Sequence, residues 1–166
     1  MSKTTWRLAE GKTWRGKLKE EHPNHGKLVP IPPRWRRKFG SGKMLIPRPL
    51  EVDAVVRRVR KGKLATQSLV RAELARRAGA DAACPLTTGI FLRIVAEAAE
   101  ENRRAGKTRV TPYWRVIKDD GRLNDKFPGG AKAQAALLRS EGFTVRPGRG
   151  KQPPRVEGFD GLLAQL

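Results

Sequence analysis

The sequence predicts a mainly α fold: a winged helix-turn-helix-like domain with a small β-hairpin, an extended basic N-terminal arm and a short C-terminal hairpin or tail. Between residues 51 and 143, four segments repeat apolar side chains at helical spacing, each with a glycine close behind it. A short β-branched segment lies between the third and the fourth. The first 50 residues show no such period. We therefore assign the arm to residues 1–46, the helical domain to 47–144 and the extension to 145–166.

The first two predicted helices are short and close together. Residues 51–60 begin with acidic and end with basic side chains, as the helix dipole favours. Its inward positions are Val52, Val55, Val56 and Val59. A second helix over 67–78 begins after Thr66, a good N-cap, and ends at Gly79. Its inward positions are Leu69, Val70 and Leu74. Two short helices before a third are typical of a helix-turn-helix unit.

The third predicted helix would be the one that enters a groove. Pro85 suits its first turn, Thr87 or Thr88 could also cap it, and Gly106 ends it. Its buried face is predicted to be Ile90, Phe91, Ile94, Val95 and Ala98. The start of this helix is small and polar, which permits close approach of the backbone to DNA but is equally typical of an ordinary helix cap.

The remaining elements are shorter. The segment "RVTPYWRVIKDDGRLN" predicts a loop and then a short hairpin that would serve as the wing, and "GGAKAQAALLRSEGF" predicts a fourth helix. "TVRPGRGKQPPRVEGF" predicts two short strands around a glycine-rich turn. In the arm, five prolines between residues 30 and 49 oppose regular structure. We expect the arm to be extended and to order where Trp35, Phe39 and residues 44–46 meet the domain; the alternative is a basic tail that is disordered when free.

Charge is the strongest global feature of the sequence. The 166 residues contain 36 Lys and Arg against 16 Asp and Glu, a net charge of +20, and residues 1–50 alone carry +10. Such an excess indicates a polyanionic partner, most often nucleic acid, although solubility or association with the ribosome would also account for it. A single cysteine, no secretory signal and no membrane-spanning run predict a cytoplasmic protein, associated with the nucleoid if bacterial.

Three segments carry a resemblance to a known family. "VDAVVRRVRKGKLATQSLVRAELARRAG", "TPYWRVIKDDGRL" and "GGAKAQAALLRSEGF" resemble, in order and spacing, the DNA-binding domain of alkylguanine-DNA alkyltransferases, also called methylated-DNA-protein-cysteine methyltransferases. They are still more similar to the alkyltransferase-like proteins, which share that domain without the repair chemistry. The resemblance covers about residues 47–144 and leaves out the arm and the extension.

The resemblance implies a site in which the nucleophile is missing. The enzymes use a Pro-Cys-His-Arg-Val motif, in which the cysteine takes the alkyl group from a flipped guanine. Here Tyr113 and Trp114 replace the Cys-His pair, while Pro112, Arg115 and Val116 remain and Glu141 stands for the family's acid. Neither aromatic side chain is a soft nucleophile at neutral pH. Alkyltransferase-like proteins commonly carry Trp at the cysteine position, so Tyr is a departure.

Two further departures lie in the predicted groove-binding helices. The family's tyrosine that rotates the flipped nucleotide falls near Gln67, and its arginine finger falls near Thr87 or Thr88. Arg93 lies more than one turn beyond and is poorly placed as a substitute. The usual devices for base flipping are therefore replaced by smaller polar side chains.

The predicted site residues form two sets. The lesion-pocket candidates are Pro112, Tyr113, Trp114, Arg115 and Glu141, of which Tyr113 is the first choice for stacking on a base. The DNA-contact candidates are Arg34, Trp35, Arg36, Lys61, Lys63, Gln67, Arg71, Thr87, Thr88, Gly89 and Arg93. The alternatives are a buried aromatic pair for Tyr113 and Trp114, a structural role for Arg115, a solvated face for the basic residues and an anchor on the domain for Trp35.

The resulting prediction is a monomeric, non-enzymatic protein that binds double-stranded DNA, alkylated or distorted, and interacts with other repair proteins, without metal or cofactor. A second possibility is a cysteine S-alkyltransferase that uses Cys84, whose place at a helix start favours a thiolate; the alternative for Cys84 is a small buried apolar residue. A third is a general nucleic-acid binder without damage selectivity. His22 and His25 are spaced too loosely to predict a metal site.

Overall fold

The computed structural model describes residues 8–166, so Trp6 of the predicted arm lies outside the described residues. The described chain is mainly helical with small sheets, which confirms the predicted fold class. Its helices are α1 Trp14–Leu18, α2 Pro33–Phe39, α3 Pro49–Arg57, α4 Gln67–Ala78, α5 Pro85–Arg104 and α6 Gly130–Ser140. Its strands are β1 Leu28–Pro30, β2 Lys43–Leu45, β3 Ala65–Thr66, β4 Ala82–Ala83, β5 Val116–Ile117, β6 Val145–Arg146 and β7 Arg155–Val156. No helix in residues 8–166 is long and apolar enough to cross a membrane.

Helices α3, α4 and α5 form the helix-turn-helix-like centre. All four predicted inward valines of the first helix are fully buried, Val59 one residue beyond the α3 C-cap. Helix α4 has the predicted bounds because the Thr66 hydroxyl accepts a hydrogen bond from the Leu69 amide and Gly79 ends the helix at φ +66°. The predicted burial of Ile90 on α5 is wrong, since its side chain is 38% exposed. The buried stripe of α5 runs through Phe91, Ile94, Val95 and Ala98 and leaves Ile90 on its outer edge.

The N-terminal segment is more regular than its prolines predict. It contains α1, α2 and the strands β1 and β2, because Pro33 opens α2 at a position where no amide donor is required. Strand β2 pairs antiparallel with β1 and parallel with β4, so this segment shares one sheet with the helical domain. Ile31 and Met44 are each 1% exposed. Together with Ala82 and Cys84 they form a small apolar cluster on which Trp35 and Phe39 pack.

Helix α1 is held by a side chain from α5. Glu101 Oε2 accepts a hydrogen bond from the Trp14 amide at 2.7 Å, and its Oε1 accepts one from the Arg15 amide at 3.0 Å. A five-residue helix has little stability of its own, and these two bonds satisfy its otherwise free amides. The N-terminal segment is therefore attached at both ends, through Glu101 and through β2.

The hairpin predicted after Trp114 is wrong in its strand pairing. The chain does turn back tightly there, with 2.9 Å bonds from the Gly121 amide to the Lys118 carbonyl and from the Lys118 amide to the Arg122 carbonyl. The strand before this turn, β5, however pairs parallel with β3 and not with the residues that follow the turn. Val116 and Ile117 are both buried, which a solvent-facing wing would not allow. The second predicted hairpin is present, as β6 and β7 pair antiparallel around residues 147–154.

Helix α6 is tied to this region by one buried amide. Gln134 is 1% exposed; its Oε1 accepts from the Asn124 amide, and its Nε2 donates to the carbonyls of Trp114 at 3.0 Å and Val116 at 2.9 Å. Every hydrogen-bonding atom of this side chain, apart from a spare acceptor lone pair, is thereby used. Gln134 fixes the backbone of the segment that carries the candidate aromatic pair.

Candidate nucleic-acid interface

The start of α4 carries the first group of predicted DNA contacts. Gln67, the first residue of α4, is half-buried, and the next residue, Ser68, donates from its amide and its hydroxyl to the Asp119 carboxylate. The Arg71 guanidinium donates to the Ser68 hydroxyl at 2.9 Å and lies 3.8 Å from Asp119 Oδ2. Burial acts to raise the pKa of Asp119, but the bonds from Ser68 and the nearby charges of Arg71 and Lys38 outweigh it and lower the pKa. Asp119 therefore stays ionised at the positive end of α4.

The start of α5 presents a mixed surface to solvent. Leu86 is 59% exposed, and Gly89 and Ile90 are also exposed. Thr87 is half-buried and Thr88 is only 1% exposed, so the two predicted threonine contacts differ: Thr88 faces the core. The accessible part of this helix end is thus largely apolar, with the small Gly89 between Leu86 and Ile90, rather than small and polar. Such a surface allows close backbone approach and van der Waals contact with a groove wall.

Cys84 is the N-cap residue of α5 and is 6% exposed. It packs with Ile31, Met44 and Ala82, and its Sγ accepts a 3.3 Å hydrogen bond from the Thr87 hydroxyl. A thiol covered in this way is that of a small buried apolar residue rather than an accessible alkyl acceptor. The geometry does not favour the hypothesis of a relocated nucleophile.

Tyr113 lies in the core and not on a surface. Its side chain is 1% exposed, and its ring packs edge-on against Trp114 at 5.4 Å and against Phe127 at 5.3 Å between centroids. Its hydroxyl donates to Glu100 on α5 at 2.8 Å. Burial, with this bond to Glu100, raises the pKa of the phenol well above its usual range. The prediction that Tyr113 offers a face for base stacking is therefore wrong, because helix α5 and Phe127 already cover that ring.

Trp114 and Arg115 share a carboxylate. Glu141 Oε1 accepts from Trp114 Nε1 at 2.9 Å and from Arg115 Nε at 2.8 Å, and Oε2 accepts from Arg115 Nη2 at 2.5 Å. Arg115 Nη1 also donates to the Val59 carbonyl at 2.7 Å. Burial acts to raise the pKa of Glu141, but the bonds from Arg115 and Trp114 and the charges of Arg115 and Lys61 outweigh it and lower the pKa. Arg115 has the structural role that the sequence left open, and Glu141 orients Trp114.

Trp114 is the half-buried member of the aromatic pair. The Arg115 guanidinium carbon lies 5.7 Å from its ring centroid, and Lys61 lies near enough to influence Glu141. Lys61 and Lys63 are both exposed in the turn between α3 and β3. An aromatic edge with Arg115 over its ring and Lys61 nearby is the kind of surface that contacts nucleic acid. The preceding Pro112 is buried.

Helix α2 supplies further basic side chains. Arg34 and Arg36 are exposed, whereas Trp35 is half-buried on the apolar cluster of β2, β4 and Cys84, in agreement with the anchoring interpretation. Lys38 at the end of α2 is close enough to Asp119 to help lower the pKa of that carboxyl, and Trp35 and Phe39 pack on a cluster that contains Cys84, the N-cap of α5. The fold thus gathers α2 and the starts of α4 and α5 on one side. Arg93 is different: it is half-buried further along α5, and its charge acts on Glu97.

Several contacts that shape this region could not be predicted from the sequence. Asp119 accepts a hydrogen bond from the Ser68 amide, 51 residues away in the chain. Gln134 donates to the carbonyls of Trp114 and Val116, 20 and 18 residues away. The signal for α2 was present, since a Pro-Pro pair before "RWRRKF" is typical of a helix start. In residues 8–166, no three His, Cys, Asp or Glu side chains come together in a way that could hold a metal ion.

The chain matches no protein-family model and no curated protein. Among solved structures, the fold of the chain is similar to that of S. pombe Atl1 in complex with damaged DNA containing O6-carboxymethylguanine, with a TM-score of 0.48 and 17% sequence identity. A second structure of S. pombe ATL in complex with DNA has a TM-score of 0.49 and 19% identity. Each comparison covers 71% of this chain and 94% of the other. At this identity the likeness concerns the chain fold alone.

Proposed function

We propose that this chain is a DNA-binding protein of the alkyltransferase-like type, which binds alkylated or distorted duplex DNA and does not itself accept the alkyl group. One observation carries the second half of this proposal. The position that corresponds to the reactive cysteine of the resembled enzymes holds Tyr113, whose ring is sealed and whose hydroxyl is bonded to Glu100. A phenol with a raised pKa in that setting is no nucleophile at neutral pH.

Duplex binding is supported by charge and by the arrangement of helix ends. The net charge of +20 requires an anionic partner or a highly charged solvent-facing surface. The exposed cations Arg34, Lys38, Lys61 and Lys63 lie on segments beside the starts of α4 and α5 or the Trp114 ring. The start of α5, with Leu86, Gly89 and Ile90 exposed, has no long polar side chain in the way of a groove.

Selection of damaged DNA is assigned to Trp114. It is the accessible ring of the pair, and Glu141 and Arg115 hold it in one orientation. A base or a distorted step that stacks on such a ring gains roughly 1–3 kcal/mol, about 5- to 150-fold in affinity. The passing of bound DNA to other repair proteins belongs to the same proposal.

Fluorescence anisotropy with two duplexes that differ only by one O6-methylguanine tests this function. Wild type should bind both and prefer the alkylated duplex. Trp114→Ala should lose most of the preference, whereas the matched variant Tyr113→Phe should keep it, because the Tyr113 ring is covered. Absence of duplex binding at low salt, or a mass increase of one methyl group on the protein after incubation, would refute the proposal.

A second candidate is a general nucleic-acid binder without damage selectivity. It is favoured by the sealing of Tyr113, which removes the aromatic wall expected at the centre of a lesion pocket. This candidate requires equal affinity for the alkylated and the plain duplex in the same titration, and equal losses for both when Trp114 is replaced.

A further inference from the structure

The C-terminal hairpin presents a strongly basic loop that no part of the proposed site includes. Residues 144–156 read "TVRPGRGKQPPRV", with four basic residues and no acidic one. Strands β6 and β7 form the base of the hairpin, and residues 147–152 are all exposed. The loop lies outside the segments that resemble a known family.

The base of this hairpin is firmly fixed. Val145 is 6% and Val156 1% exposed in a cluster with residues of β5 and α6, and the Arg139 side chain donates to the Val145 carbonyl. The Leu123 amide donates to the Pro154 carbonyl at 2.9 Å. A loop on a rigid base keeps its tip in one place and loses less conformational freedom when it binds a ligand.

The loop is narrow, with two cations at its tip. Gly148 passes so close to the opposite side that a Cβ there would lie 1.7 Å from the Gln152 carbonyl oxygen. The Gln152 amide donates to the Arg149 carbonyl at 3.0 Å, which closes a turn over residues 149–152. Arg149 and Lys151 therefore project from the end of the loop.

The ion pairs of this hairpin lie at its base and not at its tip. Arg146 pairs with Glu157, and Arg122, next to β7, pairs with Asp120. Within residues 8–166, Arg149 and Lys151 take part in no ion pair. At the base, Arg146 is neutralised by Glu157, whereas the exposed Arg155 takes part in no ion pair among the described residues. The two cations at the tip, Arg149 and Lys151, are likewise available to an external anion.

The hairpin stands beside the proposed interface. Arg155 of β7 forms an antiparallel β-bridge with Arg122, at the end of the turn that carries Asp119. Asp119 in turn accepts a hydrogen bond from the Ser68 amide at the start of α4. An extended loop side of four residues reaches up to roughly 13 Å beyond its strands. The contact requires the backbone of a duplex seated on α4 and α5 to pass within that reach.

We propose that the loop 147–154 is a second DNA-contacting element, in which Arg149 and Lys151 bind backbone phosphates of the same duplex. This inference rests on the proposed function. It requires about two phosphate contacts in addition to those of the helical face, each of which contributes about 0.9 to the slope of log affinity against log salt.

The test is a salt titration of duplex affinity by anisotropy for wild type, Arg149→Gln/Lys151→Gln and a matched control, Lys107→Gln/Arg109→Gln. The control removes the same charge from exposed positions after the C-terminal end of α5, far from its start. We expect the loop variant to reduce the slope by about 2 and to bind about tenfold more weakly near 0.1 M salt. The control variant should change the slope and the affinity far less. All four side chains are exposed, so thermal unfolding should be the same for the three proteins.

The outcomes separate the two proposals. If wild type binds duplex and the loop variant has an unchanged slope, or falls no further than the control, the loop contact is refuted and the proposed function stands. If the loop variant loses affinity for single-stranded DNA or RNA but not for duplex, its assignment to duplex is refuted. If wild type binds no duplex at low salt, both proposals fail together.

Discussion

The Tyr113 hydroxyl and Arg103 Nη1 donate to the same oxygen, Oε1 of Glu100, each at 2.8 Å. This shared acceptor joins the segment after Pro112 to the last turns of α5. It also uses the only polar atom of the Tyr113 side chain within the fold. The aromatic residue at the position of the missing nucleophile is therefore a structural connection between two elements.

Replacing Tyr113 should affect stability far more than binding. Tyr113→Phe removes one hydrogen bond and should cost about 0.5–1.5 kcal/mol, while Tyr113→Ala removes a buried ring and should cost about 3–5 kcal/mol. Denaturant unfolding measures both. A change in duplex affinity of Tyr113→Phe without a change in stability would show that the phenol contacts DNA.

The pair of Arg115 and Glu141 should resist substitution even by similar residues. The two side chains are only 12% and 10% exposed, so Glu141→Gln or Arg115→Lys leaves one partner poorly satisfied, at a cost of about 3–5 kcal/mol. The exposed pair of Arg48 and Glu51 is the control, for which Glu51→Gln should cost at most about 1 kcal/mol. Equal midpoints for the two glutamine variants in urea unfolding would contradict this prediction.

Gln134 should be intolerant of a negative charge. In Gln134→Glu, a carboxylate would face the carbonyl oxygens of Trp114 and Val116 in a site that is 1% exposed. Two acceptors would lose their donor, and we expect a loss of about 3 kcal/mol or more near neutral pH. The loss should shrink in acid, where the new carboxyl is neutral and can donate. Gln152→Glu, on the exposed loop, is the control. A similar decrease in the melting temperature of both variants would argue against the role of the Gln134 hydrogen bonds.

Glu73 should make stability depend on pH in acid. Hydrogen bonds from Arg76 and Arg77 lower the pKa of Glu73 from its ordinary value of 4.5 to about 2. Because the unfolded state binds the proton more readily, the contribution of Glu73 is complete above about pH 5 and is lost as the pH falls from about 4.5 towards 2. Glu73→Gln should be about 1–2 kcal/mol less stable near pH 7. The difference in the free energy of unfolding between this variant and wild type should disappear in acid. A difference that stays constant down to pH 2 would exclude the ionised Glu73 carboxylate as its cause.

Glu101 should hold α1 in place without supporting the rest of the fold. Glu101→Ala leaves the amides of Trp14 and Arg15 without their acceptors. We expect faster hydrogen exchange over residues 14–19, with little change in α3, α4 and α5. Glu21→Ala, which alters an exposed side chain, should leave that exchange unchanged.

The sequence predicts well what neighbouring residues determine. The bounds of α4 follow from Thr66 and Gly79, both within one turn of the ends that they define. The partner of β5 and the environment of Tyr113 depend on residues brought together from far along the chain. The parallel pairing of β5 with β3 leaves no local signal, and a tyrosine at an exposed site and one against Glu100 look the same in sequence. The sequence predicts Ile90 to be buried, which is wrong, because an apolar residue at the edge of the buried stripe can face either the core or the solvent.

The attachment of α1 to Glu101 spans 86 and 87 residues of sequence. Closing a loop of that length costs conformational entropy, which is offset by the bonds to Glu101 and by the packing of Trp14 and Leu18 on the core. Both need α5 and its neighbours to be formed already, so we expect the middle of the chain to fold before its N-terminal segment docks. Refolding should therefore proceed in two kinetic phases, with α3, α4 and α5 protected first and α1 later. The late docking of α1 follows from the length of chain that separates this helix from the core that holds it.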